Sequence, residues 1–261
     1  VKTEAVDLYT AERCLHARSS VAFAAATEAG LAGRFLAFEH DGLLALLTTS
    51  PDLSFLNSVC GLTSESIGAL PGVLANFAAS GAPPPRLATD GPGLADSLRP
   101  LGFGPAQPRP VATIDLLARS QIPAEPHGLR LAEALTPEQE RVFLDTLTAG
   151  YGASPELSSF LRAEHRADGM RRFVAWQGHQ PVGAAAFSMH GLVAVLGGAA
   201  TVPAARRSGA QTALLHHRLD QAAAAGADAA TATAAAESPS VRNLARTGFG
   251  IHYRLGWAAS G

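Results

Sequence analysis

Two stretches of this chain repeat one order of elements, and the repeat limits the fold more than any other feature. Residues 81–104 run from Gly-Ala through Arg-Leu-Ala-Thr to Leu-Arg-Pro-Leu-Gly102-Phe103-Gly104. Residues 226–250 run from Gly-Ala through Ala-Ala-Thr-Ala-Thr to Leu-Ala-Arg-Thr-Gly248-Phe249-Gly250. An Ala-rich helical piece precedes each copy, at Asn76-Phe-Ala-Ala-Ser and at Gln221-Ala-Ala-Ala-Ala. Helix, strand, helix and Gly-Phe recur in one order, which points to a structural duplication. A chain of 261 residues has room for two ordinary domains. Pro-rich breaks fall at 105–110 and 119–128, with a strand between them at 111–117. The second break reads as the linker, giving one domain over 1–118 and another over 119–261.

The C-terminal half predicts a strand at 129–132 and a helix at 137–147, with Thr136 as N-cap and Pro137 in the first turn. A second helix is expected over 160–169. Strands at 173–177, 181–188 and 192–200 then form an antiparallel meander with turns at Gly178-His179 and His190-Gly191. A helix at 208–225 follows, closed by Gly226, then a strand at 227–235, a short helix at 240–247 and a last strand at 251–257. Helices and strands mix on a largely antiparallel sheet with one βαβ crossover, an α+β fold.

The segment between the meander and the long helix carries the functional signal. Thr201-Val202-Pro203 leads into Arg206-Arg207-Ser208-Gly209-Ala210-Gln211. Consecutive backbone N–H groups at a helix start bind phosphate, glycine permits close approach, and the two arginines add positive charge. A phosphorylated cofactor is expected here.

Bulk properties narrow the alternatives. At 47% apolar and 16% charged the chain buries a sizeable core. A net charge of −2 argues against nucleic acid as a partner. Cys14 and Cys60 have no metal-ligand spacing; one bridge between them is the alternative to the favoured reading of two buried free thiols in a reducing compartment. Charged residues between Lys2 and Arg13 leave no apolar run for a signal peptide, and no apolar stretch suits a bilayer span. A cytoplasmic protein without a membrane partner is expected. The oligomeric state is left open.

The order of elements and the turn together resemble the GNAT N-acetyltransferase superfamily. Its cofactor turn reads Gln/Arg-x-x-Gly-x-Gly/Ala after a strand; here Arg206 to Ala210 fit and Gln211 takes the last place. Arg242-Asn243-Leu244-Ala245-Arg246-Thr247-Gly248-Phe249 looks like the family's final helix and Gly-Phe end. The likeness covers about 129–258 well, and the N-terminal half looks like a degenerate copy without the Arg-x-x-Gly turn. It implies a tandem, three-layer GNAT-like fold with two mostly antiparallel sheets flanked by helices, and one cofactor site.

The resemblance implies acetyl-CoA as co-substrate. N–H groups from Arg207 through Ser208, Gly209, Ala210 and Gln211 to Thr212 would cradle the pyrophosphate, with the Arg206 and Arg207 side chains beside it. Ala199, Ala200 and Thr201 would pair with the pantetheine arm like an added strand. A bulge at Gly197-Gly198 would splay that strand from 227–235. Asn243 either bonds the cofactor arm or caps a helix. A small-molecule amine would attack the thioester directly. The family's usual Tyr acid is replaced by Leu244, and 192–196 holds no acid. His190, Glu237, Ser238 and Tyr253 are the candidates for proton transfer, each with a structural role as its alternative. Tyr151 is a candidate for the acceptor pocket, while Glu156, Glu164 and Asp168 either attract a cationic amine or form a solvated helix face. A non-catalytic acyl-CoA-binding module, or transfer of another acyl group, are the competing readings.

Overall fold

The computed structural model describes residues 6–117 and 128–260. Asp7 opens the first helix, α1 (Leu8–Glu28), by accepting from the Thr10 amide at 2.7 Å. The N-terminal half continues with β1 (Phe35–His40), β2 (Leu43–Thr48), β3 (Ser58–Leu62), α2 (Leu70–Ala79), β4 (Arg86–Thr89), α3 (Ala95–Leu98) and β5 (Phe103–Asp115). The C-terminal half runs β6 (Leu129–Glu133), α4 (Pro137–Tyr151), α5 (Pro155–Arg166), β7 (Met170–Gln177), β8 (Gln180–His190) and β9 (Val193–Thr201). It closes with α6 (Ala210–Ala224), β10 (Ala229–Thr233), α7 (Pro239–Arg246) and β11 (Gly250–Ala259). Among the described residues no helix is long and apolar enough to cross a membrane.

Local sequence explains most of these boundaries. At α4, Thr136 accepts from the Gln139 amide at 3.3 Å and the Gln139 side chain accepts from the Thr136 amide at 3.0 Å, a complete capping box. Helix α5 begins at Pro155 rather than at 160, because Ser154 caps it by accepting from the Leu157 amide at 3.2 Å. The linker expected at 119–128 falls, save Gly128, outside the described residues.

The described strands join into one 11-stranded sheet in the order β1-β2-β3-β4-β11-β5-β10-β9-β8-β7-β6. Its α+β class is as expected, but the two sheets expected for the two halves are fused. The reason is an exchange of last strands. β11 of the C-terminal half pairs with β4 of the N-terminal half, and β5 of the N-terminal half pairs with β10. The two exchanged strands also pair antiparallel with each other, from Gly250 opposite Thr113 to Ala259 opposite Phe103. Counted outward from the exchange, each side has a parallel pair, β3 with β4 and β9 with β10, and then two antiparallel pairs; β6 with β7 adds a third on the C-terminal side. This match is the structural form of the repeat in the sequence.

The Pro-rich stretch 105–110 was expected to break the chain, yet it lies inside β5. Pairing of β5 with β10 stops at Val111 opposite Thr233, so residues 103–110 present one free edge where missing proline N–H groups cost no ladder bond. A bulge between Ala106 and Arg109 absorbs one further residue.

Alternation along β7 and β8 sorts the layers. Phe173, Ala175, Ala185 and Phe187 pack with Leu214, Leu215 and Leu219 of α6, while Val174, Ala184 and Ala186 pack with Phe143, Leu144 and Leu147 of α4. The helices therefore cover opposite faces of the sheet. Gly150 lets α4 lie close on β9: a Cβ there would stand 2.7 Å from that of Ala200. Helix α1 reaches across from the N-terminal half and packs Phe23 edge-on against Phe160 of α5, with ring centroids 6.0 Å apart.

Candidate active site

The turn before α6 is held in a shape that few residues tolerate. Arg207 has φ 69° and Gly209 φ 86°, both left-handed. A Cβ at Gly209 would meet nothing within 4 Å, so this glycine is required by its backbone angle and not by crowding. Gly209 is also the N-cap of α6, and among the described residues no side chain caps that helix from it. Ser208 Oγ accepts from the Ala210 amide at 3.4 Å, which leaves the Gln211 and Thr212 amides of the first turn without an intrahelical carbonyl.

These amides open on a cleft of about 630 Å³. Ala199, Ala200 and Thr201 form one wall, and Arg206, Arg207, Gly209, Ala210, Gln211 and Thr212 form its floor. Pro239, Ser240 and Asn243 of α7 close the far side, and Gly150 and Tyr151 lie at the end of α4. Thus ten of the eleven residues expected to hold a cofactor line one cavity, and Ser208 is not among them. Gln211, the departure from the family pattern, is held at the wall by Thr201 Oγ1, 3.4 Å from its Oε1. Asn243 is not a cap. Its Oδ1 accepts from Thr212 Oγ1 at 3.1 Å, tying α7 to the first turn of α6. Its amide nitrogen has no partner among the described residues.

The cleft exists because β9 leaves β10. The strands pair in parallel only as far as Leu196 opposite Ala232. The register of β8 with β9 then slips by one residue between Ala184–Ala200 and Ala186–Gly197, a bulge at the two glycines. Gly198 has φ 55°. On the α6 face the buried Arg218 guanidinium donates to Ala186 O at 3.0 Å and Gly197 O at 3.4 Å. It satisfies carbonyls that the bulge disturbs. Burial pushes the Arg218 pKa down to about 10.

A polar cluster absent from the sequence reading presses on the other face of the bulge. Arg18 of α1 donates to Glu164 at 2.8 Å and to Ser188 Oγ at 3.1 Å, and its Nη2 lies 3.5 Å from His165 Nε2. A Cβ on Gly197 would meet the Arg18 guanidinium at 2.8 Å, and one on Gly198 would stand 1.9 Å from His165 Nε2. Burial works to raise the Glu164 carboxyl, but the charges of His165 and Arg18 outweigh it and hold the group below its usual range. The His165 imidazole is pushed down, first by burial, against the opposing pull of the Glu164 charge. Glu164 is therefore a buried ion-pair partner, not part of a solvated face. The amphipathic spacing of α5 carried a hint of this, but Arg18 comes from the other half and left no local signal.

Tyr151 stands at the same end of the cleft. Its phenol is raised above the usual range, first by burial and then by the Glu164 charge, with the Ala199 backbone amide opposing. The residue is nonetheless 47% exposed, on the lining of the cleft. The four residues expected to move protons lie outside the cleft lining. His190 Nε2 lies 3.0 Å from Ser188 Oγ, which ties it to Arg18, and its pKa is lowered by burial and by that cation. Ser238 caps α7 through the Val241 amide at 3.2 Å, and Glu237, left-handed at φ 58°, accepts from Arg242 with its carbonyl. Tyr253 is 52% exposed on β11, opposite Pro110.

The model of the acetyltransferase (GNAT) family matches residues 133–249, a span that holds the bulge, the turn, α6 and α7. Over that span the chain is similar to the GNAT acetyltransferase family. No curated protein matches it in sequence. Among solved structures, a GCN5-related N-acetyltransferase from Kribbella flavida is similar at TM-score 0.66 and 17% identity, over 96% of this chain and 95% of the other. A GCN5-related N-acetyltransferase from Sphaerobacter thermophilus is similar at TM-score 0.62 and 15% identity, over 83% of this chain and 75% of the other. A tandem GNAT protein from the clavulanic acid biosynthesis pathway aligns over 98% of both chains, at TM-score 0.57 and 15% identity. At these identities the likeness is one of fold, and it extends the GNAT fold to the whole chain as a tandem.

Proposed function

We propose that this protein transfers an acetyl group from acetyl-CoA to a primary amine of a small molecule by direct attack in a ternary complex. One observation carries the reading: a single cleft joins the uncapped amide turn at 207–212 to the strand edge that the Gly197-Gly198 bulge frees. The first part suits a pyrophosphate, with the helix dipole and the Arg206 and Arg207 cations adding attraction. The second suits an amide-bearing arm that pairs with Ala199, Ala200 and Thr201, and the free amide nitrogen of Asn243 is a donor to it. Acetyl-CoA supplies the activated acyl group, and the chain's residues supply its position, worth up to about 7–11 kcal/mol in ideal cases.

In this reaction a C–N bond forms, the C–S bond breaks, and the sulfur leaves as a thiol with one proton. Besides arginines, Tyr151 is the one titratable side chain among the cleft-lining residues. Its raised pKa keeps it protonated at neutral pH, and we assign it the proton donor to the leaving sulfur. The Ala199 amide, beside that phenol, is the donor to the developing oxyanion. Among the described residues no carboxylate or imidazole lines the cleft, so the amine enters neutral, and the proton its nitrogen sheds on acylation restores the Tyr151 phenol that protonated the sulfur. His190, Glu237, Ser238 and Tyr253 are assigned no direct proton transfer.

That lack of a base favours one second reading, a non-catalytic acyl-CoA-binding module. The deciding experiment is thiol release from acetyl-CoA with a panel of primary amines, alongside calorimetric titration of coenzyme A. Turnover with at least one amine supports the enzyme, and tight binding without turnover supports the module. Replacing Arg206 and Arg207 together by Ala should weaken coenzyme A binding by tenfold or more, on the scale of about 1.5–3 kcal/mol per charged hydrogen bond. Unchanged affinity refutes the site.

A further inference from the structure

A second cavity, of about 740 Å³, lies on the far side of β10 from the cofactor cleft. It opens along the free edge of β5, where Thr233 ends the pairing and the chain continues through Ala234, Ala235 and Ala236. The β5 bulge shapes it. Gln107 O projects so close to β11 that a Cβ on Gly256 would stand 2.0 Å from it, so only glycine fits there. Phe55, Pro108 and Trp257 supply an apolar wall, and the Trp257 indole is fixed by donating to Thr89 Oγ1 at 3.2 Å.

The charge of this cavity is one-sided. Arg86 and Arg109 line it, and among the described residues no carboxylate does. Neither guanidinium has a hydrogen-bond or ion-pair partner among the described residues. Arg254 nearby is different: it is buried, donates to Glu12 at 2.5 Å and to Arg109 O at 2.9 Å, and so leaves no carboxylate for its neighbours. The half-buried Arg109 is held below its usual pKa, first by burial, with the Arg254 and Arg86 cations acting in the same direction. Two unpaired guanidiniums in a concave, partly apolar setting gain from an anion that replaces lost water and cancels their repulsion.

We propose that this cavity binds a small molecule with an anionic head, a carboxylate or phosphate, on an apolar body. The head lies on Arg86 and Arg109, whose planar forks match either group, and the body lies against Phe55, Pro108 and Trp257. The proposal is independent of acyl transfer.

The test titrates the full-length protein with benzoate and with phenyl phosphate by calorimetry at fixed ionic strength, with benzyl alcohol as the neutral control. Saturable one-to-one binding of at least one anion, with affinity lowered tenfold or more in Arg86→Gln and in Arg109→Gln, supports the site. The tighter of the two probes identifies the head group. Binding that does not saturate, that persists unchanged in both variants, or that benzyl alcohol matches overturns it. Arg86 is exposed at a strand start, so Arg86→Gln keeps the test valid should Arg109→Gln fold poorly.

Discussion

Replacing Arg18 by Met removes the one cation that α1 places among Glu164, His165 and Ser188, and leaves most of its volume in place. The 2.8 Å pair with Glu164 is buried on both sides, with side-chain exposures of 7% and 14%. Breaking such a pair from one side costs about 3–5 kcal/mol, because the remaining charge stays buried without compensation. At roughly 2 °C per kcal/mol for a chain of this size, the melting temperature should fall by about 6–10 °C at pH 7. The pH dependence separates this cause from simple loss of packing. In the parent the folded Glu164 pKa is depressed, so its stabilisation is present above the unfolded carboxylate value and is lost as pH falls through the folded one. Without Arg18, burial raises the folded Glu164 pKa, and the His165 ring beside it protonates more readily. Both groups then take up protons in the variant's folded state as pH falls, and its deficit relative to the parent shrinks. Denaturant titrations of both proteins at pH 7 and pH 5 measure the effect. A deficit below about 1 kcal/mol at pH 7, or one that grows on acidification, refutes the buried-pair account.

Two further perturbations test the bulge and the proton donor. Gly198→Ala places a methyl group in left-handed backbone and against His165, so about 2–5 kcal/mol of stability should be lost together with coenzyme A affinity. A thermal melt and a calorimetric titration read the two effects, and a variant that melts like the parent would contradict the geometry. Tyr151→Phe should lower kcat by about a hundredfold, the low end for one acid–base group, while the affinity for coenzyme A stays unchanged. An unaltered kcat removes Tyr151 from the reaction.

Sequence reasoning reached the candidate cleft where the determinants of its shape are local. The 206–212 turn, the two glycines at 197–198 and Asn243 each carry their reason within a few residues of chain: left-handed backbone, a slipped register, a position on the last helix. The order of strands within each half was equally legible, because hydrophobic alternation and turn residues act over short range. The exchange of β5 and β11 was not legible. Either Gly-Phe strand has the residues to pair beside β4 or β10, and a repeat makes the two arrangements similar at the level of pattern. The proline run at 105–110 misled for a related reason. It reads as a break unless one knows that a neighbouring strand has already ended and left the edge free. Arg18, Glu164 and Tyr151 were missed as a group because their meeting depends on α1 crossing from one half to the other.

The strand exchange also gives the N-terminal half a part in shaping the candidate cleft. β10 is the strand from which β9 departs to open the cleft, and its other edge is completed by β5 of the N-terminal half. The bulge is pressed from one face by Arg18, which again comes from that half, and from the opposite face by Arg218 of α6. A bulge with left-handed Gly198 has no ladder to fix its shape, so these contacts decide where Ala199 presents its amide. The N-terminal half therefore contributes to the candidate cleft through position: it completes the sheet behind the slot and clamps the strand that turns away from it.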